Sequence, residues 1–377
     1  MSLPLQELSQ FGQSVWLDYI SRSLLDQGKL KSLIDQGLRG MTSNPSIFNQ
    51  SISQSHDYDD KIIQLKNKGK STFEIYDELT IKDIQDAADA FKNVYEKTQK
   101  LDGYVSLEIN PLLANKVEEQ ATEGVRLFKK VNRPNLMIKV PSTNEGFPVI
   151  EKLIAQGINV NVTLIFSLKQ YEKTVEAYLK GLNHLSKHQS DLSSVRSVAS
   201  VFVSRVDTVI DKTLDEKIAQ TSDSKQKENL KSLQGKAAVA NCHIIYNRAE
   251  ELFNSQAFKT LQTKRANIQR VLWGSTSTKN PNYPDVKYVT ELIAPNTVNT
   301  IPENTLQAFI DHGKVKNAFT YDVNQSQDTL KSLKSLGIDI TEVCTKLLDA
   351  GCVAFSEAFE SLLKSIDKKA ESLTAKS

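Results

Sequence analysis

Cysteine is scarce in this sequence, and its scarcity excludes two kinds of architecture. Three cysteines, Cys242, Cys344 and Cys352, occur among 377 residues, an odd number without the spacing of zinc ligands. This pattern argues against a disulfide framework and against a zinc site. Unpaired thiols fit a reducing compartment, so we expect a cytoplasmic protein.

Long apolar runs are also absent. No segment approaches the roughly 18 consecutive apolar residues of a membrane-spanning helix, and the opening MSLPLQELSQ lacks the basic and apolar stretches of a secretion signal. Positive charge is not in excess, because 47 lysines and arginines face 45 aspartates and glutamates. We therefore expect no membrane insertion and no nucleic-acid binding.

No Gly-, Ser- or Pro-rich linker divides the chain, and no short repeat is present. Short apolar or β-branched runs alternate instead with longer amphipathic segments, which indicates repeated strand–helix units. Eight such runs predict a closed (β/α)₈ TIM barrel of the α/β class. We interpret residues 1–377 as one domain, with residues 325–377 as a C-terminal helical extension. The predicted strands are Ser14–Asp18, Leu38–Thr42, Tyr104–Ile109, Leu136–Val140, Asn159–Phe166, Ser197–Val203, Arg270–Ser275 and Tyr288–Ala294.

Several predicted helices are additional to the barrel. A long helix is expected over Asp207–Phe253, and an inserted helical pair over Asp57–Lys68 and Ser71–Lys100. Helices at Pro302–His312 and from about Thr341 to Lys369 should follow the eighth strand. The last of these should cap or flank the barrel.

The polar residues of five predicted strands share one parity. Barrel strands are covered by helices outside and packed with side chains inside, so a polar residue within one is costly to bury. In VWLD, YVSLEIN, LMIKVP, INVNVTL and VASVFVSRV the apolar alternate residues should face the helices. The other set then converges inside, late in the strands, where barrel active sites form. It contains Asp18, Glu108, Lys139, Asn161, Thr163, Ser200 and Phe202.

Each of these residues also has an ordinary structural explanation. An aspartate that closes a strand often caps the next helix, and a serine or asparagine in a strand is often satisfied locally. Lys139 with Glu108 or Asp18 would form a structural ion pair, although charges in a dry interior add little stability. Taken together, two carboxylates, one lysine and several hydroxyl and amide groups at one barrel mouth favour catalysis.

Lys139 is the most specific signal. Burial of an ammonium group favours its neutral form, and a neutral amine is a nucleophile. Such an amine forms an iminium with a ketone or aldehyde, which withdraws electrons so that a carbon–carbon bond beta to it breaks. Asp18 and Glu108 suit the roles of general acid and base. Arg205 and Lys279 follow the sixth and seventh strands, where barrels commonly bind phosphate, so a phosphorylated sugar is the expected substrate.

Two stretches are similar to the transaldolase family of Schiff-base aldolases. MTSNPSIF, residues 41–48, resembles the first signature of the family, and LMIKVPSTNEGFPVIEKLIAQGINVNVTLIFS, residues 136–167, resembles the second, which carries the Schiff-base lysine. Shorter family members have an arginine in the loop after the seventh strand, where this chain has Thr278 and Lys279. A longer bacterial subgroup resembles this chain in having a lysine there.

The resemblance implies a role for each candidate. Lys139 would form the Schiff base, Asp18 would act as acid and base at the breaking bond, and Glu108 would act through a water that Thr163 also holds. The residues implied to bind substrate are Asn44, Asn161, Ser200 and Phe202, with Arg205, Ser275 and Lys279 at the phosphate.

The implied reaction belongs to the pentose phosphate pathway. It transfers a dihydroxyacetone unit from sedoheptulose 7-phosphate or fructose 6-phosphate to glyceraldehyde 3-phosphate or erythrose 4-phosphate. No cofactor and no metal is expected, because the iminium is the electron sink. Two alternatives stay open: a fructose-6-phosphate aldolase that releases free dihydroxyacetone, and a non-catalytic sugar-phosphate-binding protein. Sugar phosphates are the expected partners of a monomer or homodimer.

Overall fold

A closed barrel of eight parallel strands forms the centre of the computed structural model, which describes residues 3–375. Residues 1–2 and 376–377 of the predicted domain lie outside the described residues. Each strand pairs with the next along the chain and the eighth pairs with the first, so the predicted (β/α)₈ barrel is confirmed. The strands are β1 (Gln13–Asp18), β2 (Gly40–Thr42), β3 (Tyr104–Glu108), β4 (Leu136–Pro141), β5 (Val160–Ile165), β6 (Ser197–Phe202), β7 (Gln269–Gly274) and β8 (Thr297–Ile301).

Helices surround this barrel on all sides and also extend beyond it at the C-terminus. A single 3₁₀ turn, Pro111–Leu113, follows β3. No helix within residues 3–375 is both long and apolar enough to cross a membrane. The α-helices of the described residues are α1 (Pro4–Phe11), α2 (Arg22–Asp26), α3 (Lys29–Gln36), α4 (Pro45–Ser53), α5 (Asp59–Asn67), α6 (Thr72–Ala90), α7 (Lys92–Lys97), α8 (Val117–Val131), α9 (Gly146–Ile154), α10 (Leu168–Leu185), α11 (Ser204–Gln220), α12 (Ser224–Leu233), α13 (Ala237–Phe253), α14 (Gln256–Gln262), α15 (Lys287–Thr290), α16 (Glu303–His312), α17 (Val323–Ser335) and α18 (Ile340–Thr374).

The eighth strand lies later than the sequence pattern suggested. The prediction of a strand over Tyr288–Ala294 is wrong, because this segment begins within the short helix α15 and β8 follows it. In β8 two of the three buried residues that face away from the barrel axis are polar. Thr297 donates to the carbonyl of Ala294, and Asn299 donates to that of Tyr288 at 3.2 Å. Backbone carbonyls thus accept from the donors of two polar residues that made this strand look like a loop.

The predicted helix over Asp207–Phe253 is also wrong, since three helices occupy it. The first break precedes Asp223, which caps α12 by accepting from the backbone N–H of Lys225 at 2.9 Å. The second break is at Gly235, whose φ of +68° favours glycine. Asp207 of α11 accepts from the backbone N–H of Ala238 at 2.7 Å, so one helix caps the start of another.

Apolar and aromatic side chains fill the middle of the barrel interior. Trp16, Tyr104, Met137 and Leu272 belong to one buried cluster inside the ring of strands. The indole of Trp16 fills the space over Gly40, where a Cβ would lie 2.6 Å from Trp16 Nε1. Because these residues share the inward parity of Asp18, Glu108 and Lys139, they form a floor beneath the polar residues. The interior space that remains lies at the carboxyl ends of the strands.

The long C-terminal helix α18 crosses the barrel exterior and reaches its mouth, where a flanking or capping helix was predicted. It packs against α4, α5, α6 and β5. Phe359 packs edge-on against Tyr76, with ring centroids 5.1 Å apart, and Lys369 forms an ion pair with Asp59 at 2.7 Å. These contacts fix the helix to α5 and α6, which lie within the predicted inserted pair.

Candidate active site

A cavity of about 220 Å³ opens at the carboxyl ends of the strands. A groove of about 520 Å³ between α3 and α7 contains none of the predicted site residues. Glu108 lines a separate narrow cavity of about 20 Å³ beside the mouth. The other ten predicted site residues line the 220 Å³ cavity: Asp18, Asn44, Lys139, Asn161, Thr163, Ser200, Phe202, Arg205, Ser275 and Lys279.

Lys139 lies in the wall of the barrel with 5% of its surface exposed. Strand β4 places it beside Glu108 of β3 and Asn161 of β5. Its Nζ donates to the backbone carbonyl of Ser43 at 3.0 Å and lies 3.5 Å from Glu108 Oε2. The second distance is long for a charge-assisted hydrogen bond. The amine is therefore positioned without being held tightly by a carboxylate.

Asp18 ends β1 and is oriented by a chain of two hydroxyl groups. Thr42 donates to Asp18 Oδ1 at 2.8 Å, and its oxygen lies 2.8 Å from the hydroxyl oxygen of Thr300. Burial raises the pKa of Asp18, while Lys139, Thr42 and Lys279 act in the opposite direction. A carboxyl group whose pKa is raised keeps its proton to a higher pH than an ordinary carboxyl group, which suits an acid that also acts as a base.

Glu108 has the same electrostatic character and an unused oxygen. Burial raises its pKa, the charge of Lys139 opposes the rise, and the charge of Asp18 adds to it. Neither Glu108 Oε2 nor Thr163 Oγ1 has a hydrogen-bond partner among residues 3–375. Buried polar atoms of this kind commonly bind water. The cavity beside Glu108 is large enough for about one water molecule.

A hydrogen-bonded chain joins the neutral polar residues of the mouth. Ser200 donates to Asn161 Oδ1 at 2.6 Å, and Asn161 Nδ2 donates to Ser106 Oγ at 3.0 Å. Asn44 uses Oδ1 to cap α4, accepting from the backbone N–H of Ile47 at 3.0 Å. The cap leaves the amide N–H groups of Asn44 for a ligand. These contacts fix side chains that suit a polyhydroxylated substrate.

Arg205 supplies positive charge on one side of the mouth. It follows β6 in the first turn of α11, and its guanidinium carbon lies 5.5 Å from the ring centroid of Phe202. No carboxylate within residues 3–375 forms an ion pair with it, and burial lowers its pKa. A guanidinium without a carboxylate partner is suited to a doubly charged phosphate.

The loop after β7 brings a second basic side chain to the cavity that Arg205 lines. Ser275 adopts a φ of +53°, and its hydroxyl oxygen lies 3.0 Å from that of Ser204. Lys279 lines the cavity and donates to Ser277 at 2.7 Å, whereas Thr278 donates to the carbonyl of Pro284 and does not line the cavity. Of the two residues Thr278 and Lys279, Lys279 is therefore the one that faces the cavity.

A family model described as "Transaldolase/Fructose-6-phosphate aldolase" matches residues 15–366 of this chain. The chain belongs to this family. It is 43% identical to "Transaldolase" of Trichodesmium erythraeum over 98% of both chains. It is 44% identical to the proteins of the same name from Thermobifida fusca, over 100% of both chains, and Saccharopolyspora erythraea, over 96% of both.

The structure brings further residues to this transaldolase-family site that sequence reasoning missed. Thr300 escaped notice because β8 was misplaced, and Ser43 contributes a backbone carbonyl that no side-chain pattern reveals. Thr42 lies in the family signature, which was the available signal. Phe355 lines both mouth cavities from α18, a helix outside the strand pattern. Its position depends on tertiary packing.

Proposed function

We propose that this chain is a transaldolase that transfers a dihydroxyacetone unit between sugar phosphates, as a transferase of the pentose phosphate pathway. The observation that carries the proposal is the buried Lys139 amine, which lies 3.5 Å from Glu108 and shares a cavity with Asp18, Arg205 and Lys279. The Lys139 amine is the nucleophile, the carboxyl groups move protons, and Arg205 and Lys279 bind phosphate.

The first half of the reaction produces an enamine. The neutral amine of Lys139 attacks the ketose carbonyl, and the carbinolamine loses water to give an iminium. Asp18 accepts a proton from the sugar hydroxyl beyond the bond that breaks, and the bonding electrons pass into the iminium. The iminium is positively charged, and a positive charge at Lys139 lowers the pKa of Asp18, so the carboxylate form is favoured at this step. An aldose phosphate then leaves.

The second half reverses these events with a different aldehyde. The enamine carbon attacks the acceptor carbonyl, Asp18 returns its proton to the new hydroxyl oxygen, and water hydrolyses the product iminium. Glu108 and Thr163 have unused hydrogen-bonding atoms for a water molecule that carries protons to and from the carbinolamine. Each carboxyl group thus has a distinct proton to move.

The remaining residues would bind the substrate along its length. We assign Asn44, Asn161 and Ser200 to the hydroxyl groups of the dihydroxyacetone unit, because they offer amide donors and a hydroxyl acceptor in the cavity that contains Lys139. Phe202 would contact the apolar face of the carbon chain. Arg205, Ser275 and Lys279 would bind the phosphate at the far side of the cavity.

Two alternatives share much of this site. An aldolase would release free dihydroxyacetone from the same enamine, and a non-catalytic binding protein would keep the anion site alone. The relatives named "Transaldolase" favour transfer, and the lysine with two carboxyl groups favours catalysis. Assaying fructose 6-phosphate with and without erythrose 4-phosphate tests the proposal. We expect heptulose phosphate to form with acceptor; dihydroxyacetone release at a comparable rate without acceptor would contradict transfer.

The molecular context of the enzyme is also a proposal. We propose one domain for residues 1–377, because α17 and α18 pack against the barrel helices. Free Cys242, Cys344 and Cys352 support a reducing, cytoplasmic location. We propose a monomer or homodimer, which sedimentation analysis would test.

A further inference from the structure

The mouth of the barrel is covered by a side chain from outside the (β/α)₈ units. Phe355 of α18 lines the 220 Å³ cavity that contains Lys139 and also the 20 Å³ cavity that contains Glu108. Its ring centroid lies 6.0 Å from Lys139 Nζ. The ring thus stands at the boundary between the two cavities, within reach of the reacting amine.

Helix packing holds this ring over the site. Gly351, Phe355 and Phe359 recur at intervals of four residues and so lie on one face of α18. A Cβ on Gly351 would lie 3.0 Å from Leu164 Cδ2, so the helix approaches the end of β5 closely. Phe359, on the other side, is fully buried against Tyr76. The residue between these two anchors has little freedom to leave the mouth.

Phe355 differs from its helical neighbours in what it covers. Phe359 is completely buried, whereas Phe355 is only partly buried and its remaining surface faces a polar cavity. An aromatic ring at this place adds no hydrogen-bonding group to the site. The ring excludes water from the site, and its face attracts a positive charge on the nitrogen of Lys139.

Water exclusion has a specific consequence for an enamine. When an acceptor is bound, the enamine carbon forms a bond to the aldehyde carbon. When solvent reaches the site, the same carbon takes a proton from water, and hydroxide adds to the resulting iminium carbon. The carbon–nitrogen bond then breaks, releasing dihydroxyacetone and the lysine amine. One water is consumed overall, and no oxidant or reductant is needed.

We propose that Phe355 determines how the enamine partitions between transfer and hydrolysis, by shielding Lys139 from solvent. This inference rests on the proposed function, since it requires the Lys139 enamine. Phe355 acts on the intermediate by covering it and exchanges no proton with it. The C-terminal helix is thereby part of the active site.

The test compares Phe355→Ala, Phe355→Leu and the control Val353→Ala, all in the full chain. Val353 lies on the same helix and is 56% exposed. For each protein, dihydroxyacetone release from fructose 6-phosphate without acceptor is divided by transfer to erythrose 4-phosphate. We expect the ratio to rise about tenfold in Phe355→Ala, less in Phe355→Leu, which keeps apolar bulk, and not in Val353→Ala.

The outcomes separate the two proposals. A slower enzyme whose ratio equals that of the wild type would overturn the role of Phe355, because a merely structural residue lowers both rates together. A ratio that rises equally in Val353→Ala would also overturn it. Wild-type release as fast as transfer would contradict the proposed function itself. If Phe355→Ala shows lost helicity by circular dichroism, the ratio in Phe355→Leu decides.

Discussion

The two ends of the barrel each bury a basic residue beside a carboxylate, but they pair these charges differently. At the base, Arg270 donates to Asp102 and to Ser14 at 2.8 Å each, and Ser14 donates to Asp102 at 2.8 Å. At the mouth, Lys139 and Glu108 are 3.5 Å apart. The side chains of both pairs are only 6–7% exposed.

The two basic residues are equally buried, but only the one at the base has close hydrogen-bond partners. We take this difference to distinguish a structural charge from a reactive one. A buried charge with close partners on every side contributes to a defined fold, and its removal leaves the partner uncompensated. A buried charge with loose partners remains available to a substrate, at some cost in stability. We therefore expect the base of the barrel to contribute to stability and the mouth to chemistry, which is the usual division in this fold.

The largest expected effect is at the mouth. Lys139→Ala should lower kcat by at least about 10⁵-fold, because no other group can form the iminium. Calorimetry with an alditol phosphate should still detect binding through Arg205 and Lys279. Lys287→Met is the control, since Lys287 is also buried, at 9% exposure, but outside the cavity. Retained turnover in Lys139→Ala would remove the distinction between the two ends.

The carboxyl groups of the mouth should show the next largest effect. Asp18→Asn and Glu108→Gln each remove a proton carrier but keep the shape of the side chain. We expect each to lower kcat by about 10²–10⁴-fold in steady-state assays, with little change in thermal stability. A loss of less than tenfold in either variant would show that its role is assigned incorrectly.

Substitution of the buried cation at the base of the barrel should lower stability and leave turnover unchanged. Arg270→Met leaves Asp102 buried without its cation, and should lower the free energy of unfolding by about 3–5 kcal/mol. The turnover of the folded fraction should stay unchanged. Arg265→Met is the matched control, because Arg265 pairs with Asp191 at the surface and should contribute about 1 kcal/mol or less. Denaturation in urea measures both; equal effects would contradict the comparison.

Lys279 should have a smaller effect, confined to binding. Lys279→Ala removes one charge-assisted contact to the substrate phosphate, so KM should rise about tenfold while kcat changes little. Lys279→Arg should restore much of the affinity, because a guanidinium also binds phosphate. Substrates without phosphate should respond equally to wild type and Lys279→Ala. A loss that is the same for both substrate types would place Lys279 outside the anion site.

The smallest effect concerns stability against pH. Burial raises the pKa of Asp18 and of Glu108 in the folded protein. Protonation of these groups therefore stabilises the fold fully at pH values below their ordinary pKa values of 3.8 and 4.5. This stabilisation is lost as pH rises through the raised pKa values. The free energy of unfolding of the wild type should therefore fall as pH rises through this range. The double variant Asp18→Asn, Glu108→Gln should lack this fall. Identical pH profiles would show that these pKa values are not raised.

Much of the fold followed from residue patterns, because seven strands alternate or run apolar as barrel strands must. The eighth did not, since β8 turns buried Thr297 and Asn299 outward, where each donates a hydrogen bond to a backbone carbonyl. The break between α12 and α13 depends on Gly235, whose backbone N–H donates to Asp211 at 2.9 Å, and on Asp207, which caps α13 from another helix. Such contacts leave no periodic signal in the sequence.

The site could be predicted where side chains lie on strands of known parity, as for Lys139 and Asp18. It could not be predicted where a backbone atom or a distant helix contributes. The carbonyl of Ser43 holds the amine at 3.0 Å, and Phe355 reaches the mouth from almost the end of the chain. Thr300 was hidden by the misplaced strand. Local sequence shows which groups are available, and packing decides which of them meet.

Trapping the Schiff base tests the central claim most directly. The protein is incubated with fructose 6-phosphate, reduced with borohydride and digested, and the modified peptide is located by mass spectrometry. The account predicts a stable three-carbon adduct on Lys139, absent without sugar and absent from Lys139→Ala. An adduct on another lysine, or none while transfer activity is present, would contradict it.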